Sequence, residues 1–443
     1  MTTSDVPQYS HTTEAAEALN HSCYCKTLNK ATLQRQLDRD PSVSGIMAEL
    51  WQTHPHLFSS TVVFISPDTR QHITEAIEAL ERVIALPAYQ TLALERAPEI
   101  ARHRFGPRGV FLGFDFHLDA EGPKLIEINT NAGGALLNTA LARAQEACCQ
   151  EMEWARHPNQ GLDSLEQQFV DMFRQEWRAQ RDKAPLRTLV IVDENPHEQY
   201  LSPEFELFRL LFNKAGIDTH VADPSSLHWR EGRLYLEQQP VDMLYNRLTD
   251  FYLQEPTHLA IREAYEQGQV VVTPDPRAHA LYADKRNLIV LSDDECLARW
   301  GVTETDRMVL RRVVPRTTLV SVDQAEDLWA NRRNLFFKPV AGFGSKATYR
   351  GDKLTKKVWA EILEGDFVAQ QLVRPSERLV SYDGVLAELK FDVRAYAYAG
   401  EVQLLAARMY SGQTTNFRTS GGGFAPVVVV PESTSPSATC ASF

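Results

Sequence analysis

Apolar and polar residues change their spacing several times along the chain, and each change marks a different predicted element. Over 32–51 (TLQRQLDRDPSVSGIMAELW) and 67–86 the apolar residues recur at helical spacing. The period then shortens to two, so 110–129 (VFLGFDFHLDAEGPKLIEIN) reads as two strands around a turn at Asp119-Ala120-Glu121-Gly122. A helix over 136–154 and a polar, amphipathic one through 169–178 follow. Short apolar strands at 189–193, 218–222, 242–246 and 270–273 then alternate with helices at 205–215 and 259–267. That alternation predicts a small parallel sheet with covering helices. From 282 the chain predicts a helix, then strands near 309–315, 335–339 and 367–372, with a short helix before the last. A long hairpin over 389–410 turns at Ala399-Gly400. Residues 1–20 read as frayed and 431–443 (PESTSPSATCASF) as a disordered end, and no solenoid-type repeat is present.

Composition narrows the picture. A chain of 443 residues with 43% hydrophobic and 23% charged residues has room for two or three substructures around a shared cleft. The balance of 46 Lys+Arg against 58 Asp+Glu gives a net charge of -12, which repels a phosphate backbone and argues against nucleic acid as a partner. It leaves room for a locally basic pocket. Six scattered cysteines do not form a disulfide framework, and Cys23-Tyr24-Cys25 has no second pair at zinc-finger spacing. No apolar run approaches the roughly 18–20 residues that span a bilayer, and the start lacks a basic region followed by an apolar one, so a cytoplasmic protein is expected.

Three clusters carry candidate chemistry. In the 110–129 hairpin, Asp115 falls close to opposite Glu127, and Glu127 and Asn129 share a face. Carboxylates with an amide oxygen are hard ligands suited to Mg²⁺, and the neighbours Leu125, Ile126 and Ile128 predict a strand buried on both faces. Surface charges on a half-exposed hairpin are the plain alternative. The second cluster is 335–347 (LFFKPVAGFGSKA). Lys338 ends a strand before Gly342-Phe343-Gly344-Ser345, a phosphate cradle in form but without Walker or Rossmann spacing. An ordinary turn is the alternative there. Lys285 opens a helix against its dipole, which an anionic partner would explain. In the third cluster Lys390, Asp392 and Arg394 share a strand face, Arg408 lies on the partner strand, and Asn416, Arg418 and three glycines follow. Arginine forks suit a carboxylate that becomes an acyl phosphate. Arg247, at a strand end, is a candidate substrate anchor.

The segment FDFHLDAEGPKLIEINTNAGG resembles the metal-binding hairpin of ATP-grasp enzymes, in which an Asp and, twelve residues on, a Glu-x-Asn hold magnesium. The Lys-Pro and glycine-rich loop are similar to that family's phosphate loop. DFVAQQL (366–372) is similar to its hinge strand, which implies that Gln370, Gln371 and Leu372 meet the adenine edge. Lys285 matches its other nucleotide-binding lysine. In most of the family the metal hairpin follows the arginine-bearing strands, whereas here it precedes them, so the order resembles that of the circularly permuted glutathionylspermidine synthetase-like ligases. Gly113 stands where those ligases have an arginine. The likeness covers about 105–140 and 240–426.

The expectation is an α/β (α+β), circularly permuted ATP-grasp fold with a small central parallel α/β domain. Its parts would be 1–155 with the magnesium hairpin, a substrate-binding unit at 180–280, a nucleotide-binding region at 281–430 and a tail at 431–443. The resemblance implies an ADP-forming carbon–nitrogen ligase using ATP and Mg²⁺, with small-molecule carboxylate and amine substrates. Metal ligands would be Asp115, Glu127 and Asn129. ATP would meet Lys285, Lys338, Gly342, Gly344, Ser345, Gln370, Gln371 and Leu372. Arg394 and Arg408 would be catalytic, and Arg247, Asn416, Arg418, Gly421 and Gly422 would hold substrate. A kinase on the same scaffold and a non-catalytic nucleotide-binding protein are the alternatives. No membrane partner is expected, and homo-oligomer formation stays open.

Overall fold

The computed structural model describes residues 11–38, 50, 52–146, 162–342 and 347–432. The predicted 110–129 hairpin forms as Leu112–Asp119 and Gly122–Asn129, and it joins strands from the far end of the chain. Its first strand pairs with Val385–Tyr398, which pairs with Glu401–Tyr410, then Gly423–Val429 and finally Val63–Ile65. Val385–Tyr398 is 14 residues long, so one edge serves two neighbours: Ser376–Tyr382 takes its first half and Leu112–Asp119 its second. Helix Pro67–Ile84, capped by Ser66, covers one face of this seven-stranded sheet. Its residues Ile73, Ile77 and Leu80 bury Leu112, Phe114 and Phe116 by strand alternation. Asp115 and Arg394 therefore project from the opposite face.

Among the described residues the central strands Val271–Thr273, Met243–Asn246, Thr188–Val192 and Asp218–Ala222 lie side by side and parallel, as their continuous apolar runs predict. Phe169, Phe173 and Phe208 cover one face, and Ile261 and Tyr265 the other. A third, antiparallel sheet orders Thr317–Leu319, Phe367–Gln371, Leu335–Pro339 and Tyr349–Arg350 around Phe337, Trp359 and Ile362. No helix among the described residues is long and apolar enough to cross a membrane.

Several expectations change. The segment expected as a strand at 309–315 lies largely in helix Glu304–Val313. There Thr303 caps the Asp306 N–H, and the buried Asp306, Leu310 and Val313 recur at helical spacing; the strand comes later, at Thr317–Leu319. The local run of apolar residues hid that period. Gly122–Asn129 ends the sheet and is half-buried rather than covered on both faces. The small antiparallel sheet over 227–240 and the strand Ser376–Tyr382 were not anticipated. Of the helices expected at 32–51 and 136–154, Lys30–Leu37 and Ala135–Arg143 form; 39–49, 51 and 147–161 lie outside the described residues, as do 1–10 and 433–443.

Candidate active site

The hairpin sets the geometry. Two residues, Ala120 and Glu121, close the turn, with Asp119 Oδ1 accepting the Glu121 N–H at 2.8 Å and Gly122 at a φ of 108°. Asp115 pairs with Glu127, but Phe116 pairs with Leu125, so Ile126 is an extra residue bulged out of register. The bulge frees the Ile126 carbonyl, which accepts a 2.7 Å bond from Lys338 Nζ on the antiparallel sheet. One irregular residue thus docks the two sheets across a cleft. Gly113 is required nearby, because a Cβ there would lie 2.5 Å from Ala132 Cβ and 3.3 Å from Arg394 Nε. The arginine found at this position in the ligases that the sequence resembles has no room here.

Asp115 is the hub of a charge chain. Arg394 donates to it from Nε at 2.6 Å and Nη2 at 2.7 Å, and Arg408 Nη2 donates at 2.7 Å. Arg408 Nε also reaches Asp392 at 2.7 Å, and Thr415 holds the other Asp392 oxygen at 2.5 Å. Burial works against ionisation of Asp115, but the two guanidinium groups outweigh it and hold its carboxyl below the usual range. Arg394 is committed to Asp115 and does not line the cleft, so it positions that carboxylate; Arg408 does line it. Asn129 Nδ2 lies 3.0 Å from Asp115 Oδ2 and 3.4 Å from Glu127 Oε1. Turning that amide over would point three oxygens at one spot, an arrangement that a hard cation favours, so the donor set fits Mg²⁺.

Across the cleft, Lys338 is 4% exposed and Lys285 8% exposed. Lys338 donates to Ile126 O and to Gln370 Oε1 at 2.8 Å, and Lys285 donates to Gly342 O at 2.8 Å. Neither makes an ion pair among the described residues. Burial pushes the Lys338 ammonium down to about 8, and Lys285 opposes its charge as well, while Glu127 and Asp115 support it. Gln370 is buried, and its Nε2 has no partner among the described residues. A buried cationic pair and an unmet donor fit a polyphosphate and a base. Lys285 follows the π-helical turn His279–Ala283 rather than opening a helix. The Gln371 and Leu372 N–H groups are taken by Arg316 O and Asn334 O, so backbone donation to a base from these two is ruled out. Gly342 lines the cleft; Gly344 and Ser345 lie outside the described residues. The sequence gives His117 no role beyond that of an ordinary surface or packing residue. It lines the cleft with Nδ1 3.0 Å from Val373 O, and burial holds its pKa down.

A second cavity touches the first at Thr414 and Thr415. Arg247 is buried in its wall, donating to Asn131 O at 2.8 Å, with Nε unpartnered among the described residues. Asp193, which was not anticipated, lines the same cavity, and burial pushes its carboxyl up to about 6. Asn416 and Arg418 line it too, although the Asn416 amide bonds within its own loop. Gly421 and Gly422 reach neither cavity. They are buried where added side chains would meet Tyr382 and the Met409 carbonyl, which makes them packing glycines. Buried Glu204 braces the turn after the hairpin by accepting the N–H groups of Gly134 (2.7 Å) and Leu136 (3.0 Å).

The mixed α/β architecture is that of a glutathione synthetase-like fold. The chain is similar to a glutathione synthetase-like effector from Globodera pallida, with a TM-score of 0.54 at 12% identity over 89% of this chain and 98% of that one. It also matches a candidate gamma-glutamylcysteine synthetase from Methylobacillus flagellatus at a TM-score of 0.45, with 12% identity over 82% and 89% of the two chains. The first match carries the fold assignment. No family model and no curated protein matches the chain.

Proposed function

We propose that the protein is an ADP-forming carboxylate–amine ligase that uses ATP and Mg²⁺. The observation that carries this reading is the pair of buried lysines, Lys285 and Lys338, with no ion pair among the described residues, facing Asp115, Glu127 and Asn129 across one cleft. Two buried cations without a direct ion pair are costly unless an anion completes them, and a nucleotide polyphosphate does so.

Asp115, Glu127 and Asn129 would hold Mg²⁺, which neutralises phosphate charge when bound. Arg394 keeps Asp115 ionised and aimed. Gln370 Nε2 meets the base. A substrate carboxylate oxygen attacks the γ-phosphorus, the bond to the β-phosphate oxygen breaks, and ADP leaves. Arg408 stabilises the charge on the acyl phosphate so formed. An amine then attacks the acyl carbon, loses a proton and expels phosphate. The Arg247 and Asp193 cavity, adjoining at Thr415, suits a substrate with both a carboxylate and an ammonium group. We read the order of segments, with the hairpin ahead of the lysine and arginine strands, as a circular permutation of the fold.

Screening pairs of amino acids and amines for ADP release tests the reading. ADP formation that needs both partners is expected, and Glu127→Ala with Asn129→Ala abolishes it. A phosphorylated product that is stable without any amine would instead identify a kinase.

A further inference from the structure

We infer that a small polyanion carrying a hydroxyl group binds in a cavity walled by Arg104, Arg108 and Arg277, which shares no lining residue with the cleft or the Arg247 cavity. None of the three guanidinium groups has a carboxylate within 4.0 Å among the described residues. Self-pairing is the rule nearby: Arg82, Arg286 and Arg312 reach Asp306, Asp284 and Glu75. Three arginines without a direct ion pair among the described residues line one hollow, with Glu81 the carboxylate that shares its wall, in a chain of net charge -12. Arg277 is the most constrained of them. It is half-buried and donates to Gln90 Oε1 at 2.9 Å; burial disfavours its cation, Asp275 partly offsets this, and Arg104 adds to the cost.

Glu81 also lines the hollow and defines the ligand further. Its Oε2 accepts the Tyr282 hydroxyl at 2.9 Å, while its Oε1 is buried with no partner among the described residues. Three forks that bind anionic oxygens, facing one unmet acceptor, match an anion that also offers an O–H: a phosphorylated or polycarboxylate hydroxy compound. The cavity lies behind a turn that matters to the cleft, since Arg277 and Tyr282 belong to the segment that runs through His279–Ala283 to Lys285.

Calorimetric titration with 3-phosphoglycerate and, separately, citrate, each of which carries an alcohol O–H, tests the inference on the full chain. Binding at millimolar concentration is expected to persist when Lys285→Ala and Lys338→Ala remove the cations of the cleft. It is expected to weaken at least about tenfold in the pair Arg104→Ala and Arg277→Ala, and likewise in Arg104→Ala with Arg108→Ala, whose two side chains are exposed and whose loss leaves the melting temperature unchanged. Tighter binding of 3-phosphoglycerate names a phosphorylated hydroxy ligand, and tighter binding of citrate a polycarboxylate. Failure of both anions to bind, binding untouched by the arginine pairs, or binding lost with the two lysines overturns the inference.

Discussion

Lys338 reports on the cleft through its own proton. With its pKa near 8 it is a cation below that pH and neutral above, and only the cation pairs with phosphate. Nucleotide affinity should therefore be flat below about pH 7.5 and fall as pH rises through 8, by up to about tenfold per unit. Titration with a fluorescent ATP analogue from pH 6.5 to 9.5 checks this, and Lys338→Arg, which stays charged, should remove the fall. Asp275 gives a stability signal of the same kind. Burial raises its carboxyl to about 7 in the folded chain, from an ordinary value of 3.8. The folded state thus holds a proton that the unfolded state has released, and stability drops as pH rises from about 4 to 7, by up to about 4 kcal/mol. Urea midpoints at pH 5 and pH 8 should differ less in Asp275→Asn, which keeps the acceptor for the Ala278 N–H.

At the level of elements, the hairpin and the turn after it carry the tightest constraints. Gly134 sits at a φ of 101° ahead of helix Ala135–Arg143, and a Cβ there would lie 2.3 Å from the Phe424 ring. Gly134→Ala should lower unfolding free energy by about 2–4 kcal/mol, read by chemical denaturation, since it combines a strained φ with overpacking. The placement of Asp115 opposite Glu127 was legible because alternation and a polar turn are local signals. The bulge at Ile126 lies beyond strict alternation, which sets Asp115 close to opposite Glu127 without showing the extra residue between Glu127 and Leu125. Helix Glu304–Val313 resembles a strand locally because the apolar run at its end masks the helical period, and the contacts with helix Pro67–Ile84 that would reveal it lie far away in sequence. The commitment of Arg394 to Asp115 rests on pairing between distant strands, which no local pattern encodes. The glycines at 421 and 422 looked like a ligand loop because close approach to backbone and close approach to ligand ask for the same residue.

For the molecule as a whole, Glu176 holds the sheets together. Fully buried, it accepts the Arg108 and Gly109 N–H groups and the hydroxyls of Thr273 and Tyr398, thereby tying helix Leu162–Arg181 to the parallel sheet and the large one. Glu176→Ala should destabilise by about 3–5 kcal/mol, because four buried donors lose their acceptor. The loss would be read as a lowered melting temperature. The long strand Val385–Tyr398 has another implication, for the order of events during synthesis. Asp115 waits for Arg394, 279 residues later, which at roughly 5–20 residues per second means about 15–55 s on the ribosome with its hairpin edge unpaired. A nascent chain of this protein is an open strand in search of a partner for most of its translation, and a chaperone that shields that edge would be working on the wall of the future cleft.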